Sequence, residues 1–136
     1  MSTPGTIDGT APLQHVSPSV FCEHCPTRLV LDRLSDKWVV LVLARLSESP
    51  MRFNQLRRDI EGVAQKMLSQ TLKKMERDGL IERRAFATVP VTVEYSITPL
   101  GLTLAKKIIE ITHWAEENIG QVLAAQARYD TKQQVS

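Results

Sequence analysis

Two cysteines stand three residues apart in Cys22-Glu23-His24-Cys25, and their spacing admits several kinds of chemistry. Cys25 directly precedes Pro26, and proline suits the first position of a helix because its missing N–H would have no partner there. Cys25 then occupies the cap position, where a thiolate faces the positive end of the helix dipole. His24 and Arg28 stand nearby and Glu23 opposes them, so a reactive thiol is expected. The pair could close a disulfide within one chain, bond two subunits, or supply two ligands to a metal. Structural zinc asks for four ligands. Only Cys22, Cys25 and His24 or His15 are at hand, so no metal is expected. A thioredoxin-like enzyme would place Cys-x-x-Cys after a strand in a βαβ unit, which the sequence does not show. Two readings remain: Cys25 as a controlling thiol with Cys22 as its resolving partner, or a small apolar residue tucked at a subunit seam.

A second constellation lies in the middle of the chain. At 100° per residue, Met67, Leu68, Thr71, Leu72 and Met75 share one side of a helix. Lys66, Ser69, Gln70, Lys73 and Arg77 fall on the other side. Lys and Arg neutralise phosphates or reach guanine edges, and Gln can pair with adenine through both ends of its amide. Residues near the start of a reading helix reach base edges, which singles out Gln65, Lys66, Ser69 and Gln70. Lys73 and Arg77, further along, are placed to meet phosphates. Arg83, Arg84 and Thr88 come next in a hairpin that could reach backbone or minor groove. The plain alternative is the wet face of an amphipathic helix. Glu76 is the one acid at its margin. The segment Arg52–Arg84 holds nine Lys or Arg against five Asp or Glu, a local +4, and the remainder has eight against ten, or −2. His113, beside Trp114, is read as packing.

The whole chain sets the bounds. Its 136 residues suit one compact domain. Apolar residues at 43% and charged ones at 24% describe a globular protein, and aromatics at 5% leave the core to Leu, Ile, Val and Met. No apolar run approaches the ~20 residues that span a bilayer, and no basic-then-apolar leader is seen. The expected location is the cytoplasm, with both cysteines as thiols until something oxidises them.

These residues need elements to position them. Residues 1–20, rich in Ser, Thr, Pro and Gly, read as a flexible arm, 21–128 as one domain, and 129–136 as a flexible tail. A short helix starts at Pro26, and Ser35-Asp36 offers a cap to a second from Lys37 to Leu46, apolar nearly all round. Met51 to Phe53 reads as extended. Asn54 can cap a third helix, Gln55 to about Ile60, before a turn at Glu61-Gly62. The reading helix spans about Ala64 to Asp78 and stops at Gly79. Strands Ile81 to Phe86 and Thr92 to Ile97 flank Ala87 to Val91, with Pro90 near the tip. Thr98 caps a last helix opening at Pro99 and running close to Arg128. Its Leu100, Leu104, Ile108, Ile111, Ala115 and Val122 recur at three and four residues, with Ala105, Ile109, Ile119 and Leu123 alongside. So wide an apolar face asks for a partner subunit.

This order is that of a winged helix-turn-helix: mainly α, with a small β-hairpin, dimeric, and with a long C-terminal helix. The run from Cys25 to about Trp114 resembles the HxlR type of bacterial transcription regulator, relatives of the MarR regulators. The matching pieces are Cys25-Pro26, Asp36 to Trp38, RFNQLRRDIEGVAQKMLSQTLKKMERDGLIERR from Arg52 to Arg84, and VEYSITPLG from Val93 to Gly101. Two departures stand out. Ala64 replaces the Ser or Thr that often caps the reading helix, and the wing tip carries a single proline, Pro90. The resemblance implies a homodimer paired through its first and last helices on a two-fold double-stranded DNA operator. Regulators of this type that sense an oxidant or electrophile through the matching cysteine suggest the same for Cys25, and a repressor with no cofactor and no membrane partner is expected. Two further classes stay open, a winged-helix module for protein contacts alone and a thiol redox protein.

Overall fold

The computed structural model describes residues 23–24 and 26–135. Cys22, Cys25 and the arm 1–20 lie outside the described residues. The chain divides into two compact units, 1–36 and 37–136. In the first, helix α1 (Pro26–Leu34) buries none of its residues, and Leu29, Val30 and Leu31 are exposed. Ser35 directly follows α1. Its hydroxyl turns back and donates to the Asp32 carbonyl at 2.8 Å.

The second unit holds α2 (Lys37–Leu46), β1 (Met51–Arg52), α3 (Phe53–Asp59), α4 (Gln65–Arg77), β2 (Ile81–Phe86), β3 (Thr92–Ile97) and α5 (Pro99–Val135). α2 is the hub. Val39, Val42, Leu43 and Leu46 are buried where it packs against α5, α4 and β3, while Leu41 stays exposed. The core also takes Leu56 and Ile60, Leu68, Leu72 and Met75 from α4, and Ala105 and Ile108 from α5. Arg45 ties α2 to α3, with its guanidinium 2.8 Å from Asp59 and 3.4 Å from Glu48.

Both hairpin strands, Ile81–Phe86 and Thr92–Ile97, have the bounds expected from the sequence. The short extended segment is more than a connector, because it joins the sheet as a third strand in the order β1-β3-β2. All pairs are antiparallel, with Met51 opposite Tyr95 on one side of β3 and Arg83 opposite Tyr95 on the other.

Two boundaries and one buried position differ from expectation. α3 begins at Phe53 with Arg52 in the cap position and no side-chain cap, so Asn54 lies inside the helix and does not cap it. Met67 is 42% exposed rather than inward. The buried arc of α4 is centred on Leu68, Leu72 and Met75, and Met67 lies about 100° round from Leu68. α5 continues past Arg128 to Val135. Ala127, Thr131, Lys132, Gln133 and Gln134 include no glycine or proline to stop it.

Candidate nucleic-acid interface

α4 enters its first turn without a side-chain cap. Ala64 holds the cap position in an extended conformation and contributes only its carbonyl, which accepts from the Leu68 N–H at 2.9 Å. Its exit is firmer. Gly79 has φ of 78°, the left-handed conformation that glycine adopts at low cost. The Leu80 N–H donates to Met75 O at 3.0 Å and the Gly79 N–H to Glu76 O at 3.1 Å, the paired bonds of a Schellman end.

The next junction fixes α4 to the hairpin and to α5. The Thr98 hydroxyl accepts from the Gly101 N–H at 3.0 Å, capping α5 as its sequence position suggests. The same hydroxyl donates to Gly79 O at 2.7 Å, with Leu80 O at 3.1 Å as a second acceptor. A side chain on Gly101 would overlap the Leu80 carbonyl, so only glycine lets α5 pass this close. One threonine therefore joins the end of α4, the end of the hairpin and the start of α5.

Around α4 the buried arc is Leu68, Thr71, Leu72 and Met75. Opposite it, Lys66, Gln70, Lys73 and Arg77 lie within about 60° of one another and span about 16 Å along the axis. All four are exposed. Among the described residues, no ion pair or hydrogen bond engages any of them, and no acid interrupts the stripe. Ser69, half-buried, sits on the flank. Gln65 is exposed and accepts from Arg57 at 3.4 Å across the turn from α3.

The wing residues differ in their local partners. Successive strand residues point to opposite faces, so Arg83 shares a face with Ile81 and Arg84 does not. Arg84 lies 3.3 Å from Glu82, which offsets its charge, whereas Arg83 has no ion-pair partner among the described residues. Thr88 is spent inside the tip, donating to Pro90 O at 2.7 Å and lying 3.2 Å from the Thr92 hydroxyl. No charged residue occurs from Ala85 to Val93, and Val89 is fully exposed. Sequence reasoning passes over Arg57 and Arg58, exposed in the last turn of α3 beside the entry to α4. Their doubled charge just before the Glu61-Gly62 turn is the signal that could have found them.

A two-helix unit whose second helix offers a free basic and amide stripe, with a β-hairpin after it, is a winged helix-turn-helix, a DNA-binding fold. The chain belongs to the HxlR-like helix-turn-helix family, whose model matches residues 33–123. It is 45% identical over 106 residues to the HTH-type transcriptional regulator YtfH of Escherichia coli K12, covering 78% of this chain and 84% of that protein. The solved structure of the transcriptional regulator YtfH from Salmonella typhimurium matches with a TM-score of 0.74 and 42% identity, covering 79% of this chain and 96% of that one. The redox regulator HypR in its oxidised form matches with a TM-score of 0.65 and 34% identity, over 69% of this chain and 97% of that one. The protein is thus a transcriptional regulator with a helix-turn-helix DNA-binding fold, and the relatives named here are regulators rather than enzymes. Among the described residues, no helix is long and apolar enough to cross a membrane.

Proposed function

We propose that the protein acts in the cytoplasm as a homodimeric repressor, binding a two-fold operator with α4 in the major groove. The observation that carries this reading is the unpaired stripe of Lys66, Gln70, Lys73 and Arg77. A module serving protein contacts alone predicts that this basic face is dispensable. Lys66, Gln70 and the flanking Gln65 and Ser69, near the start of the helix, serve base edges, and Lys73 and Arg77 serve phosphates. Arg83 adds a contact from the wing. Arg84, offset by Glu82, adds less, and Thr88 acts by shaping the tip.

The homodimer is supported by α5. From Ile109 onward none of its described side chains is buried, and Ile111, Trp114, Ile119, Val122 and Leu123 stand exposed. A helix of about 55 Å with such a face is covered when a second copy lies against it.

The reading extends to a thiol switch at Cys25, for which the likeness to a redox regulator is the support. A peroxide would take two electrons from the Cys25 thiolate, giving the sulfenic acid and hydroxide. The Cys22 thiol would then displace water and close a disulfide. Selection of bound fragments from the genome, with and without peroxide, tests both parts. A single two-fold sequence should be enriched by the reduced protein and lost on oxidation. No enrichment at low salt would refute DNA reading, and enrichment indifferent to oxidant would refute the switch.

A further inference from the structure

We infer that Arg57 is a positioning residue for Gln65 and fixes which end of that amide meets the DNA. The inference rests on α4 being the reading helix. Gln65 is the first residue of α4, a long exposed side chain with much rotamer freedom to lose on binding. Arg57, one helix earlier, donates from Nη1 to the Gln65 carbonyl oxygen at 3.4 Å. Guanidinium carries only donors and keeps its charge at every physiological pH, so the carbonyl is the end of the amide it can hold. With that end tied to α3, the NH2 end is presented outward. A presented NH2 suits a base edge that offers an acceptor, such as O6 or N7 of guanine or O4 of thymine.

Gln70 differs. No partner holds its amide among the described residues, so both ends are free for the two-bond contact with adenine. The two glutamines of one helix therefore do separate work, and the difference originates in α3.

The test is a double-mutant cycle of the full-length protein with the selected duplex and with duplexes altered one base pair at a time. Arg57→Ala and Gln65→Ala should each flatten preference at the same base pair by about tenfold, the worth of one good base contact. The double variant should lose no more than either alone. Arg57→Lys, which keeps a donor, should retain part of the preference. If Arg57→Ala instead weakens every duplex alike, lowers the salt slope and adds to Gln65→Ala, Arg57 is a phosphate contact only and the inference fails. A silent Gln65→Ala overturns it equally. Wild-type protein binding no duplex at all would overturn the reading of α4 itself. Arg57 is exposed, so an unchanged melting curve for Arg57→Ala would exclude misfolding as the cause.

Discussion

Replacing Thr98 with valine removes one hydroxyl and almost no volume, yet that hydroxyl joins three elements. It accepts from Gly101 N–H at 3.0 Å, and losing such a cap costs about 1 kcal/mol. It donates to Gly79 O at 2.7 Å, with Leu80 O at 3.1 Å. The Gly79 bond is solvent-exposed and water can replace it in part, so its loss adds about 1 kcal/mol. The sum is about 2 kcal/mol. For a chain of this size that lowers Tm by about 6 to 8 °C. The assay is urea unfolding followed by circular dichroism, with both proteins at one concentration because assembly shifts apparent stability. The midpoint should fall with the slope unchanged. Since the hydroxyl also ties the exit of α4 to the wing, folded Thr98→Val should bind DNA more weakly than its stability alone explains. A loss under about 0.5 kcal/mol would refute the reasoning, showing that Thr98 spans the junction without holding it.

The same geometry sets other outcomes. Lys73→Ala should weaken binding to all duplexes alike and reduce the salt slope by about 0.9 per protomer, whereas Gln70→Ala should relax preference at particular bases, both measured by fluorescence anisotropy. Ile108 is buried within its own fold and Ile111 is 60% exposed. Ile108→Glu should therefore unfold the chain, while Ile111→Glu should leave it folded but sedimenting as a monomer. A dimer of Ile111→Glu would refute pairing through that face. Cys25→Ser should hold DNA through mild peroxide treatment that releases wild type, and release by Cys25→Ser would return Cys25 to a packing role.

Local patterns carry the elements well. Ile81 and Phe86 bound the first hairpin strand and the β-branched and aromatic residues of Thr92 to Ile97 form the second, and Gly79 and Thr98 mark their helix ends because caps are set by neighbours in sequence. The features that escape depend on distant partners. The pairing of Met51 with Tyr95 joins residues with two helices and a strand between them, and two extended residues carry no signal of their own. Thr88 looks available because its hydroxyl is polar and its position exposed, but the tip folds back and uses it. The α3 arginines are easily passed over since periodicity draws attention to α4, and only the folded turn brings Arg57 to Gln65. A polar composition suggests fraying at the end of α5, yet nothing in Tyr129 to Val135 breaks a helix.

The central claim is that the α4 stripe is a DNA-reading surface, and the most direct measurement is the salt dependence of affinity for the selected operator. Lys73 and Arg77 are the phosphate-facing cations of the stripe, two on each protomer of the proposed dimer, and are unpaired among the described residues. At about 0.9 per phosphate neutralised, log affinity against log salt should fall with a slope of about −4. Charge-removing variants of this stripe should flatten it in proportion. A slope near zero, or one that Lys73→Ala and Arg77→Ala leave unchanged, would contradict the account.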